Sequence, residues 1–278
     1  MPIYYEPING QTDVASTRTL LHEVIPLTGT LVSGTYGVFP NDSNVKNYSH
    51  GMFQSVYDYP FLSSSANHIF DLTIGYDESS GFSGSAGRIQ QKKKINMYNQ
   101  FSQVLLGYTG STNTVRLFES DLKLDQAGSM REVFFVNFSR LLSKDQIKKG
   151  SVSISLLTGA YNNIGDLAAS GAITYTDAHV TNTSNTLNTV GGDYGVLLES
   201  GTTRPGGIVF YQAGLMVLTA SAFSSSKGTP ANHGIAPNFY KGDSIKAMFT
   251  GSSISGACDA FRQRVQNIQF NNTTELNS

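Results

Sequence analysis

Between residues 115 and 222 the chain repeats one pattern, and that pattern constrains its fold more than any other feature. Short runs rich in β-branched and aromatic residues follow one another, and turn residues such as glycine, serine, asparagine and aspartate sit between nearly all of them. The runs fall at 115–124, 130–138, 151–157, 173–178, 194–198, 207–211 and 214–222. In one of them Val152, Ile154 and Leu156 alternate with Ser151, Ser153 and Ser155, so a strand there presents one apolar face and one hydroxyl face. Many short strands must close or stack their sheet to bury such faces, which predicts a β-sandwich or barrel-like core over 111–225.

The flanking segments add a few helices. Over 12–24, Val14, Thr17, Leu20, Leu21 and Val24 recur at helical spacing behind a capping Asp13, which predicts a short helix ended by Pro26. Residues 27–39 are glycine-punctuated and threonine-rich and read as extended, and 68–76 alternate as a half-buried strand. A Gly/Ser loop at 79–87 leads into the strongest helical stretch, 88–106, with Ile95, Tyr98, Phe101, Val104 and Leu105 as its apolar stripe. Its run Lys92-Lys93-Lys94 reads as a solvated face, since no aromatic residues interleave it as nucleic-acid binding requires. Residues 143–149 predict a capped helical turn closed by Gly150, and 257–266 a further helix. Residues 267–278 are extended and stop abruptly, which admits two readings, a polypeptide that continues past Ser278 or a short one. The expected fold is mainly β with a few short helices. Its parts are an N-terminal assembly region at 1–87, a helix at 88–110, the β-rich core at 111–225 and a C-terminal segment at 226–278. Size scaling admits one large domain or two, and two is the expectation at 278 residues.

Composition narrows the function. Only 14% of residues are charged, against roughly a quarter in an average soluble domain. Hydroxyl and amide groups lose their water at less cost than ammonium and carboxylate groups, which suits a surface buried against neighbouring chains. The 19 basic and 20 acidic residues leave a formal charge of −1, so no global field draws nucleic acid or an anionic membrane. A single cysteine, Cys258, excludes an internal disulfide and a zinc ribbon. The N-terminal residues lack the basic region and apolar run of a signal peptide, which predicts synthesis and retention in a reducing cytoplasm.

The sequence lacks the familiar catalytic motifs. His22-Glu23 opens like a zinc-protease motif, but its second histidine would fall at Pro26. The other histidines, His50, His68, His179 and His233, stand apart from one another. The loops Gly81-Phe82-Ser83-Gly84-Ser85 and Gly251-Ser252-Ser253-Ile254-Ser255-Gly256 miss the Gly-x-Ser-x-Gly spacing of a nucleophile elbow, and no phosphate-cradling glycine motif occurs. Asp77-Glu78 and Glu119/Asp121 are the carboxylates available for glycosidic hydrolysis, although tryptophan, the commonest sugar-stacking platform, is absent. No catalytic, cofactor-binding or metal-ligating residue is therefore expected, and no cofactor. The 14 tyrosines read as core residues or interface anchors.

Three segments carry a family resemblance. Residues 133–156 contain Phe135-Val136-Asn137-Phe138 followed by a short basic turn and a strand led by Gly150. Residues 207–219 and 268–276 belong with it. Together they resemble virion structural proteins of T4-like, cyanophage-type contractile-tailed bacteriophages, a likeness that covers the chain from about residue 88 onward. It implies a non-enzymatic subunit, most specifically of the tail baseplate wedge, residing in the virion after synthesis in the host cytoplasm. The partners it implies are other virion (tail or baseplate) proteins, with copies of the chain itself as a further option; the charge balance predicts neither nucleic acid nor membrane as a partner, and no small-molecule substrate is expected. A head, neck or decoration protein is the first alternative, and a glycan-binding or glycan-cleaving module the second.

Overall fold

The computed structural model describes residues 18–28, 42–84, 89–110, 114–159, 171–181, 184–223, 234–235 and 244–277. Its strands in chain order are β1 (Arg18–Thr28), β2 (Val45–Asn47), β3 (Gln54–Tyr57), β4 (His68–Tyr76), β5 (Phe118–Glu119), β6 (Ser129–Met130), β7 (Glu132–Phe138), β8 (Gln146–Ile147), β9 (Ser153–Leu157), β10 (Ala172–Thr176), β11 (Thr186–Thr189), β12 (Gly192–Glu199), β13 (Pro205–Phe210), β14 (Leu215–Thr219) and β15 (Val265–Asn277). The helices are α1 (Ile89–Leu105), α2 (Arg140–Ser143), α3 (Ile245–Thr250) and α4 (Ser255–Arg264), with a 3-10 turn at Ala220–Ala222.

Thirteen strands form one antiparallel sheet in the order β1-β15-β9-β10-β12-β13-β14-β7-β4-β3-β2, with β11 added to β12 and β8 to β15. The sheet curls into a half-barrel, which fits the expected mainly β, barrel-like core with few helices. It takes β1 to β4 from the first 87 residues and β15 from the last 14, so the two ends of the chain meet in one ladder from Arg18↔Asn277 to Thr28↔Asn267.

The middle of the sheet is buried on both faces. Along β7, Phe134, Val136 and Phe138 join the larger apolar cluster, while Val133 and Phe135 join the smaller one on the opposite face. That is why Val133-Phe134-Phe135-Val136 reads as an unbroken apolar run instead of an alternation. On the larger face Phe134 stacks on Phe261 of α4 at 4.9 Å and meets Phe249 of α3 edge-on at 5.1 Å. On the other face α1 lies over β4 and β7, with Phe101 stacked on Phe135 at 4.3 Å. Gly75 of β4 permits this approach, because a Cβ there would stand 3.0 Å from the Tyr98 backbone nitrogen and from the Phe135 ring.

Several sequence-based expectations change. The helix expected over 12–24 is strand from Arg18 onward, and Pro26 lies within that strand instead of ending a helix; residues 12–17 lie outside the described residues, as do 29–39 of the expected extended stretch. The strand expected at 115–124 shrinks to β5 and an isolated bridge at Val115. The turn expected at 143–149 comes earlier, as α2, and Gln146–Ile147 pairs with β15 as β8. Gly150 does close the segment, at φ 73°, where a Cβ would lie 2.6 Å from the Val180 carbonyl oxygen. In α1 the expected stripe holds at Ile95, Tyr98 and Leu105, but Val104 is 67% exposed.

Candidate functional site

Three of the four sequence-selected carboxylates line one cleft of about 620 Å³, formed by the turn after β4, residues 109 and 114–117, β5 with its following loop, and the residue joining β6 to β7. Asp77, Glu78 and Glu119 line it together with Arg116, Gln126 and Arg131. Asp121 does not line it; its Oδ1 accepts the Lys123 N–H at 3.0 Å within its own turn.

Each polar group in the cleft is tied to the framework in a specific way. Asp77 donates its backbone N–H to the Arg131 carbonyl at 2.8 Å, and its Oδ1 accepts from the Ser79 N–H at 3.0 Å and the Arg131 guanidinium at 3.0 Å. Glu119 is buried, and its two carboxylate oxygens accept the N–H groups of Gln126 at 2.9 Å and Asp125 at 3.1 Å. Burial pushes its carboxyl above the usual range, and those two N–H groups oppose the shift. Arg116 donates through Nε to the Tyr108 carbonyl at 3.1 Å. Hydrolysis by two carboxylates needs both to face the scissile bond, one as acid and one as nucleophile or base. Both oxygens of Glu119 hold the loop after β5 instead, and Asp77 orients Arg131. What the cleft offers is a mixed array of donors and acceptors, with Glu78 exposed at its edge.

The lysine run divides by position. Lys92 is exposed, but Lys94, expected on the solvated face, is only 2% exposed. Its Nζ donates to the carbonyls of Phe249 at 2.5 Å and Gly251 at 2.8 Å, so it ties α1 to the C-terminal end of α3, where carbonyl groups lack helical partners. Burial lowers its pKa from 10.5 to about 8. Cys258 is also buried, its thiol pushed well up by burial. His50 accepts the Met52 N–H through Nδ1 and stacks on Tyr48, while His68 bonds Asp71 at 2.9 Å. Burial lowers the His179 pKa. His22 lies on β1, and His233 falls outside the described residues. Of the serine-rich stretch at 251–256, residues 251–254 join α3 to α4 and Ser255 and Gly256 open α4, while the loop at 81–84 follows β4, leaving Ser85 outside the described residues. Among the described residues, no group of three or more His, Cys, Asp or Glu side chains is placed to hold a metal ion. No helix among them is long and apolar enough to cross a membrane.

Two features escaped the sequence reading. Asp177 is fully buried and accepts hydrogen bonds from the N–H groups of Gly150 at 2.9 Å and Val152 at 2.7 Å and from the Tyr211 hydroxyl at 2.9 Å. Its only sequence signal is a lone aspartate at the end of a strand pattern. The second is the pair of sheet edges. At β1, Leu21 and Val24 are 51% and 53% exposed. Beside β2, Tyr48, His50 and Phe53 form a partly exposed ring cluster with centroids 4.9 to 5.1 Å apart.

No family model, curated protein or solved structure matches the chain.

Proposed function

We propose that this chain is a non-enzymatic structural subunit of a contractile-tailed bacteriophage virion, located in the tail baseplate, and that it works by binding neighbouring proteins. The observation that carries the assembly reading is the pair of sheet edges, β1 and β2, that no described strand covers, each bearing exposed or partly exposed apolar or aromatic side chains. An open edge presents unpaired N–H and C=O groups to a neighbouring strand, and exposed aromatic side chains supply the anchors such contacts use. The tail location rests on the resemblance of residues 133–156, 207–219 and 268–276. Low charge supports the same reading, since a hydroxyl-rich surface is desolvated at modest cost. Crosslinking and mass spectrometry of intact particles test it. The expected result is crosslinks from the β1 and β2 edges to other tail proteins; recovery of the chain only in the fraction free of particles sinks it.

The cleft favours a second reading, a glycan-binding module. Asp77, Glu78, Gln126, Arg116 and Arg131 on one concave wall provide the alternating donors and acceptors that vicinal hydroxyls require. Binding on a glycan array that disappears in Glu78→Ala and Arg116→Ala, with the fold unchanged, would promote this reading over the first.

A further inference from the structure

We propose that β1 is a self-pairing edge through which two copies of this chain join their sheets across a two-fold axis. The inference rests on the assembly reading above and names the occupant of one edge: a second copy.

The direction of the backbone groups in β15 fixes which groups of β1 are available. The carbonyls of Asn271 and Thr273 accept from the N–H groups of Lys148 at 2.7 Å and Asp145 at 3.1 Å. The N–H groups of Asn271 and Glu275 donate to Ser151 Oγ at 2.9 Å and Asp145 Oδ2 at 2.7 Å. Odd-numbered residues of β15 therefore face away from β1, and its even-numbered residues face toward it. The register pairs those even-numbered residues with Thr19, Leu21, Glu23, Ile25 and Leu27. By alternation, Arg18, Leu20, His22, Val24, Pro26 and Thr28 turn their backbone groups outward, where no described residue pairs with them. Pro26 falls in the outward set, where its missing N–H leaves the β15 ladder whole.

Pro26 also selects the register of an incoming strand. In a two-fold antiparallel pair centred on Leu21, Arg18 faces Val24 and Leu20 faces His22. All the outward N–H and C=O groups from Arg18 to Val24 are then used, and no bond is asked of Pro26. Moving the centre to His22 sets Arg18 against Pro26 and loses a bond at each end.

The side chains fit the same axis. A centre on Leu21 places that leucine directly opposite its own copy, in the closer, non-hydrogen-bonded kind of pair. Leu276, paired with Thr19 and 50% exposed, lies diagonally from Leu21 on the same face. Two copies thus gather Leu21 and Leu276 twice over into one apolar patch. A charged residue at the axis would repel its copy; a leucine is complementary to itself, which points to a second copy over an unrelated strand.

Sedimentation equilibrium of the full chain over a dilution series tests this, alongside His22→Pro and Leu21→Lys. His22→Pro deletes an outward N–H in each copy and leaves the β15 ladder intact, so it should raise the dimer dissociation constant about 30-fold. Leu21→Lys sets two ammonium groups face to face and should abolish the dimer; being a solvent-facing change, it gives the answer even if His22→Pro loosens the fold. A wild-type chain that stays monomeric at every concentration overturns the proposal, as does an oligomer indifferent to both substitutions. A monomer that still crosslinks to tail proteins in particles overturns self-pairing alone. A β1-dependent dimer recovered only outside particles supports self-pairing and removes the tail reading.

Discussion

Lys94 shows what a single side chain's surroundings decide. An ammonium group held between two carbonyls satisfies part of the α3 terminus, yet it has lost most of its water, and the loss dominates, bringing the pKa to about 8. In the unfolded chain the same lysine titrates near 10.5. Between the two values the unfolded chain holds more protons than the folded one, so stability rises with pH across that window and the contribution is lost as pH falls through the folded value. The full window corresponds to about 3 kcal/mol. The buried tyrosines Tyr98, Tyr175, Tyr194 and Tyr211 titrate higher still, because burial raises all of them, and they act against the lysine near its upper limit. Comparison with Lys94→Met separates the two: urea midpoints measured from about pH 7 to about pH 9.5 should climb in the wild type relative to the variant. Parallel profiles would mean that Lys94 stays solvated. Its position was legible in part, since Lys94 precedes Tyr98, Phe101 and Leu105 by four, seven and eleven residues and so shares the face of the apolar stripe, which Lys92 does not in the same way. Its burial depends on carbonyls at Phe249 and Gly251, brought beneath α1 only by the folded chain.

At the scale of elements, the seam between α1 and β4 is closed by a glycine. Gly75→Ala places a methyl carbon against the Tyr98 backbone, which cannot swing away as a side-chain tip can. The helix must then shift, and overpacking of this kind costs about 1–3 kcal/mol. Movement would also strain Tyr98, whose hydroxyl donates to the Met130 carbonyl at 2.8 Å and accepts the Phe118 N–H at 3.0 Å. The expected outcome is a lower urea midpoint with a changed near-ultraviolet tyrosine signal; a midpoint unchanged within error would show that the seam is loose. Elements such as α1, β4 and β9 were legible because their apolar period is written locally, and β7 because its short apolar and aromatic run is. β1 was not, because Leu20, Leu21 and Val24 satisfy helical spacing equally well, and the ladder that overrules it comes from residues 267–277. The stretch after Val115 misled for a different reason: Leu122 and Leu124 extend its apolar pattern but lie in a loop after β5, whose Asp125 and Gln126 N–H groups the Glu119 carboxylate holds. The acidic residues of the cleft were each legible as candidates, but their meeting was not, since β4 and β5 approach only through the folded chain.

The whole molecule depends on the strand that joins its ends. β15 pairs with β1, β8 and β9, and it is the sole partner of β1 among the described strands. It also places Val265, Ile268 and Phe270 in the larger apolar cluster. At about 1.5–3 kcal/mol for each buried side chain, losing these three removes roughly 5–9 kcal/mol before any backbone pairing is counted. A domain's whole margin is about 5–15 kcal/mol. Ending the chain after Arg264 should therefore abolish the cooperative urea transition and expose the apolar cluster to a hydrophobic dye. Ending it after Thr274 keeps all three side chains, the β9 ladder, and the β8 pairs Asn272↔Ile147 and Thr273↔Gln146. That longer form should unfold cooperatively with a modestly lower midpoint, because what it gives up lies at the outer tip, including the pairs with Arg18, Thr19 and Leu20 and the Glu275 bond to Asp145. Equal loss in both forms would place the stabilising weight of β15 in its outer tip; survival of the shorter form would mean that the sheet stands without the strand that closes it to β1.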